Sequence, residues 1–370
     1  MKKFFKYLGR IVLAIFLLLF FLVFLLYLPP VQTFLKNQAV AYFSETYNLT
    51  LKIGHFRLGF PLDLVLEDVY AGATPQDTLV SVESLHVKIG VSQIFRQQLS
   101  VDDLKLQKVK FNLSDDSSRL ELNVKLEEMN LFARQVDLKK KRVDADHIFL
   151  CGGEVFLQTG DGVEPDTVVA EPLDWEFRLG RIELRQLGYR MNTTALPYLG
   201  VGVAEGDLIG GVVNMGTQVV RVDTLNIAGG WCDMELAASG ENGQAAIVSQ
   251  DTLPALPWTV TAGTLGMTNG SFRMGTAGKS TAELVLSGIK IQIDSVFNQG
   301  TVVRAQLKNL QAVQQDGLTL TSMQADVVMD TTETSVHGAY IRTQNSWLDL
   351  NVQTDTDVGH LLQQEPLTVN

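Results

Sequence analysis

The residues of this 370-residue chain that could do bond chemistry are five histidines, two cysteines and scattered carboxylates, and their spacing assembles no reaction centre. His55, His86, His147, His337 and His360 stand far apart, with no His-x-x-x-His pair to present two zinc ligands from one helix face. There is no Gly-x-Ser-x-Gly elbow, no Walker-type phosphate loop and no kinase signature. Gly200-Val201-Gly202 with Gly206 shares glycines with a dinucleotide loop, but the spacing is wrong and no strand–helix–strand unit surrounds it. The chain is therefore read as a non-enzyme, with no catalytic residue, no metal and no cofactor assigned. Cys151 and Cys232 are too few for a disulfide framework, and they fall at different positions of the repeat described below, which argues against a bridge. With 41 acidic and 30 basic residues the net charge is −11, which argues against nucleic acid as the partner. The one basic run, Lys139-Lys140-Lys141-Arg142, reads as a solvated loop.

What the chain offers instead is apolar surface, 46% of residues against 19% charged. Part of the excess is one segment, Ile11 to Leu28, which carries no charge and is long enough for a spanning helix of roughly 17–25 residues. Lys2, Lys3, Lys6 and Arg10 precede it, and the next basic residue is Lys36. Cationic flanks stay in the cytoplasm, so the expected topology is a single-pass anchor through Ile11, Leu18, Phe21 and Leu28 with the N-terminus inside. The bulk of the chain is then periplasmic. A cleaved signal peptide fits less well, because its apolar stretch runs about 7–15 residues and ends near an Ala-x-Ala site. Here the nearest such site is Ala39-Val40-Ala41.

Residues 29–48 keep helical spacing, with Val31, Phe34, Leu35, Ala39, Tyr42, Phe43 and Tyr47 as the apolar set. A short amphipathic helix is expected there, either lying at the outer membrane face or capping a sheet. From Leu49 the period changes to two, as in Leu120-Leu122-Val124-Leu126, so residues 49–370 are expected to form strands with one buried face. A motif recurs along them: apolar-x-apolar, two further residues, then apolar-x-apolar-x-apolar. It fits Leu104–Leu113, Ile182–Met191, Leu265–Met274, Leu284–Ile293 and Leu318–Val327, with weaker copies from Ile148, Leu225 and Leu64. Trp175–Met191 and Trp258–Met274 are the best-matched pair, both opening on Trp and closing on Arg-Met. Such periodicity signals an array of about seven to eight repeats. The two-residue gap breaks parity, and either a hairpin turn or a β-bulge restores it. Gaps such as Thr268-Asn269 and Ser287-Gly288 favour the hairpin, whereas Gln107-Lys108 and Arg185-Gln186 suit a bulge better. Hairpins throughout would give roughly 20–25 strands and a sheet about 100–120 Å long.

The lysine-rich N-terminus, the apolar run, VQTFLKNQAVAYFSETYNLTLKIGHFRLGFPLDLVLEDVYAG and DTLVSVESLHVKI together resemble the AsmA-like superfamily, specifically the N-terminal part of TamB-type translocation and assembly proteins. The likeness covers about residues 1–115 and is only repeat-like beyond. It implies a mainly β fold in which an elongated repetitive antiparallel sheet curls into a taco-like groove with an apolar interior. It also implies phospholipid transport between inner and outer membranes, and a part in outer-membrane biogenesis. TamB-type proteins are longer and end in a C-terminal β domain, whereas this sequence stops at EPLTVN; a shorter relative, a truncated product and a fragment all fit. The groove candidates are Leu64, Leu66, Leu104, Leu106, Val109, Phe111, Leu113, Ile182, Leu184, Leu187, Tyr189, Leu265, Met267, Phe272, Leu284, Leu286, Ile289, Ile291, Leu318 and Leu320. The expected partners are the inner membrane, phospholipid acyl chains and an outer-membrane barrel protein. A scaffold for barrel assembly with no lipid cargo is the alternative, since the same apolar residues could close on one another as a core. Asp followed by Ser or Thr at Asp77, Asp166, Asp223, Asp251, Asp294 and Asp330 fits both an O-glycosylation acceptor and a turn entering a strand.

Overall fold

Alternating sequence and β-branched content make strands here, and they join one sheet. The computed structural model describes residues 24–47, 49–74, 77–90, 99–115, 120–137, 139–160, 174–193, 196–237, 258–279, 282–300, 302–329 and 334–354. The helix α1 (Pro29–Tyr47) is followed by β1 (Thr50–Gly59), β2 (Asp63–Thr74), β3 (Asp77–Gly90), β4 (Leu99–Asp115), β5 (Leu120–Asp137) and β6 (Arg142–Gln158). Then come β7 (Glu176–Asn192), β8 (Tyr198–Asn214), β9 (Val219–Ala228), β10 (Trp231–Leu236), β11 (Thr259–Thr276) and β12 (Leu284–Gln299). The last are β13 (Val302–Gln314), β14 (Thr319–Met329), β15 (Thr334–Thr343) and β16 (Trp347–Thr354). The strands add in chain order to a single 16-stranded sheet, with β9 and β10 lying end to end between β8 and β11.

The expected all-antiparallel order is corrected in two places: β6 pairs parallel with β7, and β9 and β10 pair parallel with β11. A parallel pair needs a long return connection. Most of those two connections, residues 161–173 and 238–257, lies outside the described residues. Ile11, Leu18 and Phe21 also lie outside them, as do His360, Asp166, Asp251 and Asp330; Leu28 sits in the turn before α1. Among the described residues no helix is long and apolar enough to cross a membrane.

The hairpin expectation fails, and with it the strand count. Each repeat gap lies within one strand or, at Ala228-Gly229, between two strands laid end to end. Gly54, Asp68, Glu83, Lys108, Glu127, Gly152, Gln186, Ala204, Gly229 and Asn269 sit side by side from β1 to β11. They are skipped by the ladder, with register unchanged on either side. Six of them take a positive φ, from 49° at Lys108 to 65° at Gly229. An extra residue in a strand bends it and resets its parity. Because neighbouring strands carry theirs at the same level, the bend becomes a crease running across the sheet. A second crease follows Asp146, Gly180, Gly210, Asp223, Gly263 and Ser295, with φ of 68° at Gly210 and 54° at Ser295. Among the described residues, fifteen strand positions at ~4.8 Å make a sheet of roughly 70 Å, not 100–120 Å.

The edge strand β1 is covered by α1. Gln32 Nε2 donates to Leu58 O at 2.8 Å and Lys36 Nζ donates to Ile53 O at 3.4 Å, so helix side chains satisfy carbonyls that have no neighbouring strand. The apolar residues of α1 fall on two sides: Val31, Leu35 and Ala39 are half-buried, whereas Phe34 and Tyr42 are exposed.

Candidate apolar binding face

Parity, reset at each crease, keeps every strand's apolar residues on one side. Phe56, Leu66, Leu85, Leu106, Met129, Leu150 and Leu184 pair in an unbroken row from β1 to β7. The row continues through Gly206, Ile227, Met267, Ile291 and Leu310. Parallel rows carry the other candidates. Leu64 aligns through Val87 with Leu104, and Val109, Phe111 and Leu113 stand opposite Leu126, Val124 and Leu122. Ile182 reaches Leu265 through Leu208 and Leu225, and Leu187 faces Val203. Tyr189 reaches Phe272 through Val201 and Cys232, and Phe272 and Met274 face Leu286 and Leu284. Ile289 faces Gly270, and Leu320 faces Ala312. Leu318 departs from the set: it precedes β14 and is 57% exposed at the rim.

Nothing among the described residues forms a second layer over this face. Its buried hydrophobic residues are small, Ala133, Ala145, Ala262, Ala312, Ala325 and Ala339, with Ile289 the one large exception among those described. The leucines and valines stay half-exposed. That pattern belongs to a one-sided sheet, since a face packed on another would bury its large side chains first. Between β7 and β12 the face holds an apolar cavity of about 530 Å³, bounded by Leu184, Tyr189, Val201, Cys232, Met267 and Phe272. Burial there pushes the Tyr189 phenol above its ordinary range. Burial, and then the Asp233 charge, push the Cys232 thiol up.

The opposite face is ionic. Arg181 Nε lies 2.7 Å from Asp207, Arg190 2.9 Å from Glu154, Lys108 2.7 Å from Glu83 and His147 3.2 Å from Glu183. His86 pairs with Asp63, and among the described residues no three potential ligands converge on a metal site. Cys151 stands on this face, beside Glu128 and Arg185, so the two cysteines lie on opposite sides and both are free. The basic run forms the β5–β6 turn, where Asp137 Oδ1 accepts the Lys139 and Lys140 backbone N–H groups and its carboxyl is held low, mostly by Lys140. The glycine pattern around residue 200 clears room for an indole. A Cβ on Gly202 would stand 2.5 Å from Trp231 Nε1, and one on Gly200 2.8 Å from its ring. That packing was not legible in sequence, because the indole comes from a strand thirty residues on.

No protein-family model, no curated protein and no solved structure matches the chain.

Proposed function

We propose that the apolar face is a conduit for phospholipid acyl chains, held at the inner membrane by the N-terminal apolar run and projecting into the periplasm. The observation that supports this most is the continuous apolar row from β1 to β13, unbroken by a charge and uncovered by a second layer. Two creases run across the sheet, and a groove with an apolar floor is a shape that would suit them. Transport along it is passive: acyl chains slide over leucine and valine while head groups stay hydrated, with no bond broken and no cofactor. The likeness of residues 1–115 to TamB-type proteins points the same way, towards lipid movement between the two membranes and outer-membrane biogenesis.

The test is lipid retention. The full chain, extracted under mild conditions, should carry phospholipid detectable by mass spectrometry, and a photoreactive residue at Leu184 should crosslink to acyl chains. Lipid-free protein with no crosslink in native membranes sinks the reading. One observation favours a second reading, a scaffold for barrel assembly. The last strand, β16, pairs only with β15 among the described residues, whereas β1 is covered by α1. An open strand edge recruits a partner strand. Crosslinks from Trp347 to an outer-membrane barrel, without lipid at Leu184, would favour it.

A further inference from the structure

The turn joining β1 to β2 carries the most exposed large hydrophobic side chain among the described residues, Phe60 at 80%. Its ring is not isolated. Tyr27 meets it edge-on with centroids 6.0 Å apart, and the Tyr27 hydroxyl donates to Pro61 O at 2.5 Å. Phe24, one helical turn earlier than Leu28, is itself 53% exposed. Tyr27, Phe60 and Pro61 therefore form an aromatic cluster at the turn, with the exposed Phe24 three residues before Tyr27.

The position of the cluster is fixed by Tyr27. It belongs to the last turn of the eighteen-residue uncharged run Ile11–Leu28, so its backbone stands where that run would leave the hydrocarbon. A contact and a hydrogen bond from Tyr27 bring the β1–β2 turn to the same level. Two cations accompany it on the ionic face. Arg57 lies two residues from the start of the turn, and Lys88 pairs in register with Asp63 at its end. Both are exposed, and among the described residues neither has a salt-bridge partner. Aromatic rings with nearby free cations are what a bilayer interface selects: rings settle at the head-group boundary, and cations meet phosphates about one side chain further out.

We infer that the β1–β2 turn docks into the surface of the membrane that holds the anchor, with Phe60, Tyr27 and Phe24 in the interface and Arg57 and Lys88 on anionic head groups. This deepens the proposed conduit and rests on the same anchor, since it brings the first strand of the apolar row against the bilayer from which a lipid would enter. Docking here leaves α1 free to do what it is seen doing, covering the β1 edge.

The experiment uses the full chain in nanodiscs of phosphatidylethanolamine and phosphatidylglycerol. Cys151 and Cys232 are replaced by Ser and a nitroxide is attached at Phe60→Cys; a second sample carries it at Trp347→Cys, on the 71% exposed first residue of β16. The Phe60 label should be relaxed by oxygen and shielded from a water-soluble nickel chelate, the Trp347 label the reverse. A Phe60 label as open to the chelate as the one at Trp347 overturns the docking. Repeating the measurement in phosphatidylcholine tests the cations: the Phe60 label should sit shallower there, and an unchanged depth removes Arg57 and Lys88 from the proposal. Lipid retention by the same samples reads the conduit separately, so failure of one leaves the other standing.

Discussion

On β7, Ile182, Leu184, Leu187 and Tyr189 point to one side of the sheet, and Arg181, Glu183, Arg185 and Arg190 to the other. The backbone hydrogen bonds serve both sides equally. On the ionic side, cross-strand pairs such as Arg181–Asp207 and Arg190–Glu154 are closed among themselves and wetted. On the apolar side, large side chains stand half-exposed with nothing laid over them. The difference teaches where stability and function separate in a one-layer protein. Backbone ladders and creases hold the shape, and the apolar face is left with unsatisfied burial that a ligand can complete.

The sharpest way to break the comparison is to put a charge on the apolar side. Ile289→Asp, at the one large hydrophobic side chain buried among the described residues, should cost about 4 kcal/mol and shift the denaturant midpoint strongly. Leu106→Asp, at a half-exposed position of the same face, should keep the far-ultraviolet circular dichroism of the parent and lose bound lipid. If both unfold the chain alike, the face is a packed core and the contrast between its two sides fails.

Next in size are the creases. Gly152 has φ +64°, and a Cβ there would come within 2.7 Å of Glu127 Cγ, so Gly152→Val should lose about 2–4 kcal/mol. Gln186 holds the neighbouring crease position at φ 52° with a side chain that disfavours it, and Gln186→Gly should gain about 1 kcal/mol. Opposite signs at adjacent positions, read as midpoint shifts, are what a crease that demands positive φ requires, and a loss at both would mean that the Gln186 side chain contributes more than its backbone costs. Smaller still is a difference in thiol reactivity. Lipid on the apolar face should slow alkylation of Cys232 several-fold and leave Cys151 on the ionic face unchanged. Equal protection of both would mean that bound lipid does not distinguish the faces.

The period of two was legible in the sequence, and so was the side each residue would take, because parity is a local property. Leu106 and Leu184 stand where alternation at Leu104 and Ile182 puts them, whereas Met129 joins their row only because the crease at Glu127 resets the alternation that starts at Leu120. The gap is ambiguous in sequence for a physical reason. Asn269 and Gly288 accept positive φ in a hairpin turn and in a bulge alike, so residue type could not separate them. Gln107-Lys108 and Arg185-Gln186 carried the better signal: poor turn formers at the same repeat position imply a strand that continues. The parallel pairings of β6 with β7 and of β9 and β10 with β11 left no trace in periodicity, which is blind to strand direction. Of the candidate residues, Leu318 alone among those described fell off the face, where the repeat extended one residue beyond its strand.

The smallest effect is expected where the pairs look strongest. Arg181 donates to both Asp207 oxygens, at 2.7 and 3.2 Å, and lies 3.3 Å from Glu183; these carboxylates hold its pKa above the ordinary value. The group is open to water, which solvates either partner once the other is gone, so Arg181→Ala should leave the midpoint unchanged within error. The carboxyls of Asp137 and Glu283 follow the same rule. Asp137 is held low by the Lys140 and Lys139 backbone N–H groups, and Glu283 by Lys279 and Thr276. With folded-state pKa values depressed, each contributes fully above the ordinary carboxylate range and fades as pH falls through it. Stability should therefore be flat from pH 8 down to about pH 5 and slope only below. An Arg181→Ala midpoint shift as large as that of Gly152→Val, or a slope near neutrality, would mean that the ionic face carries the fold after all. The apolar side would then be the passive one.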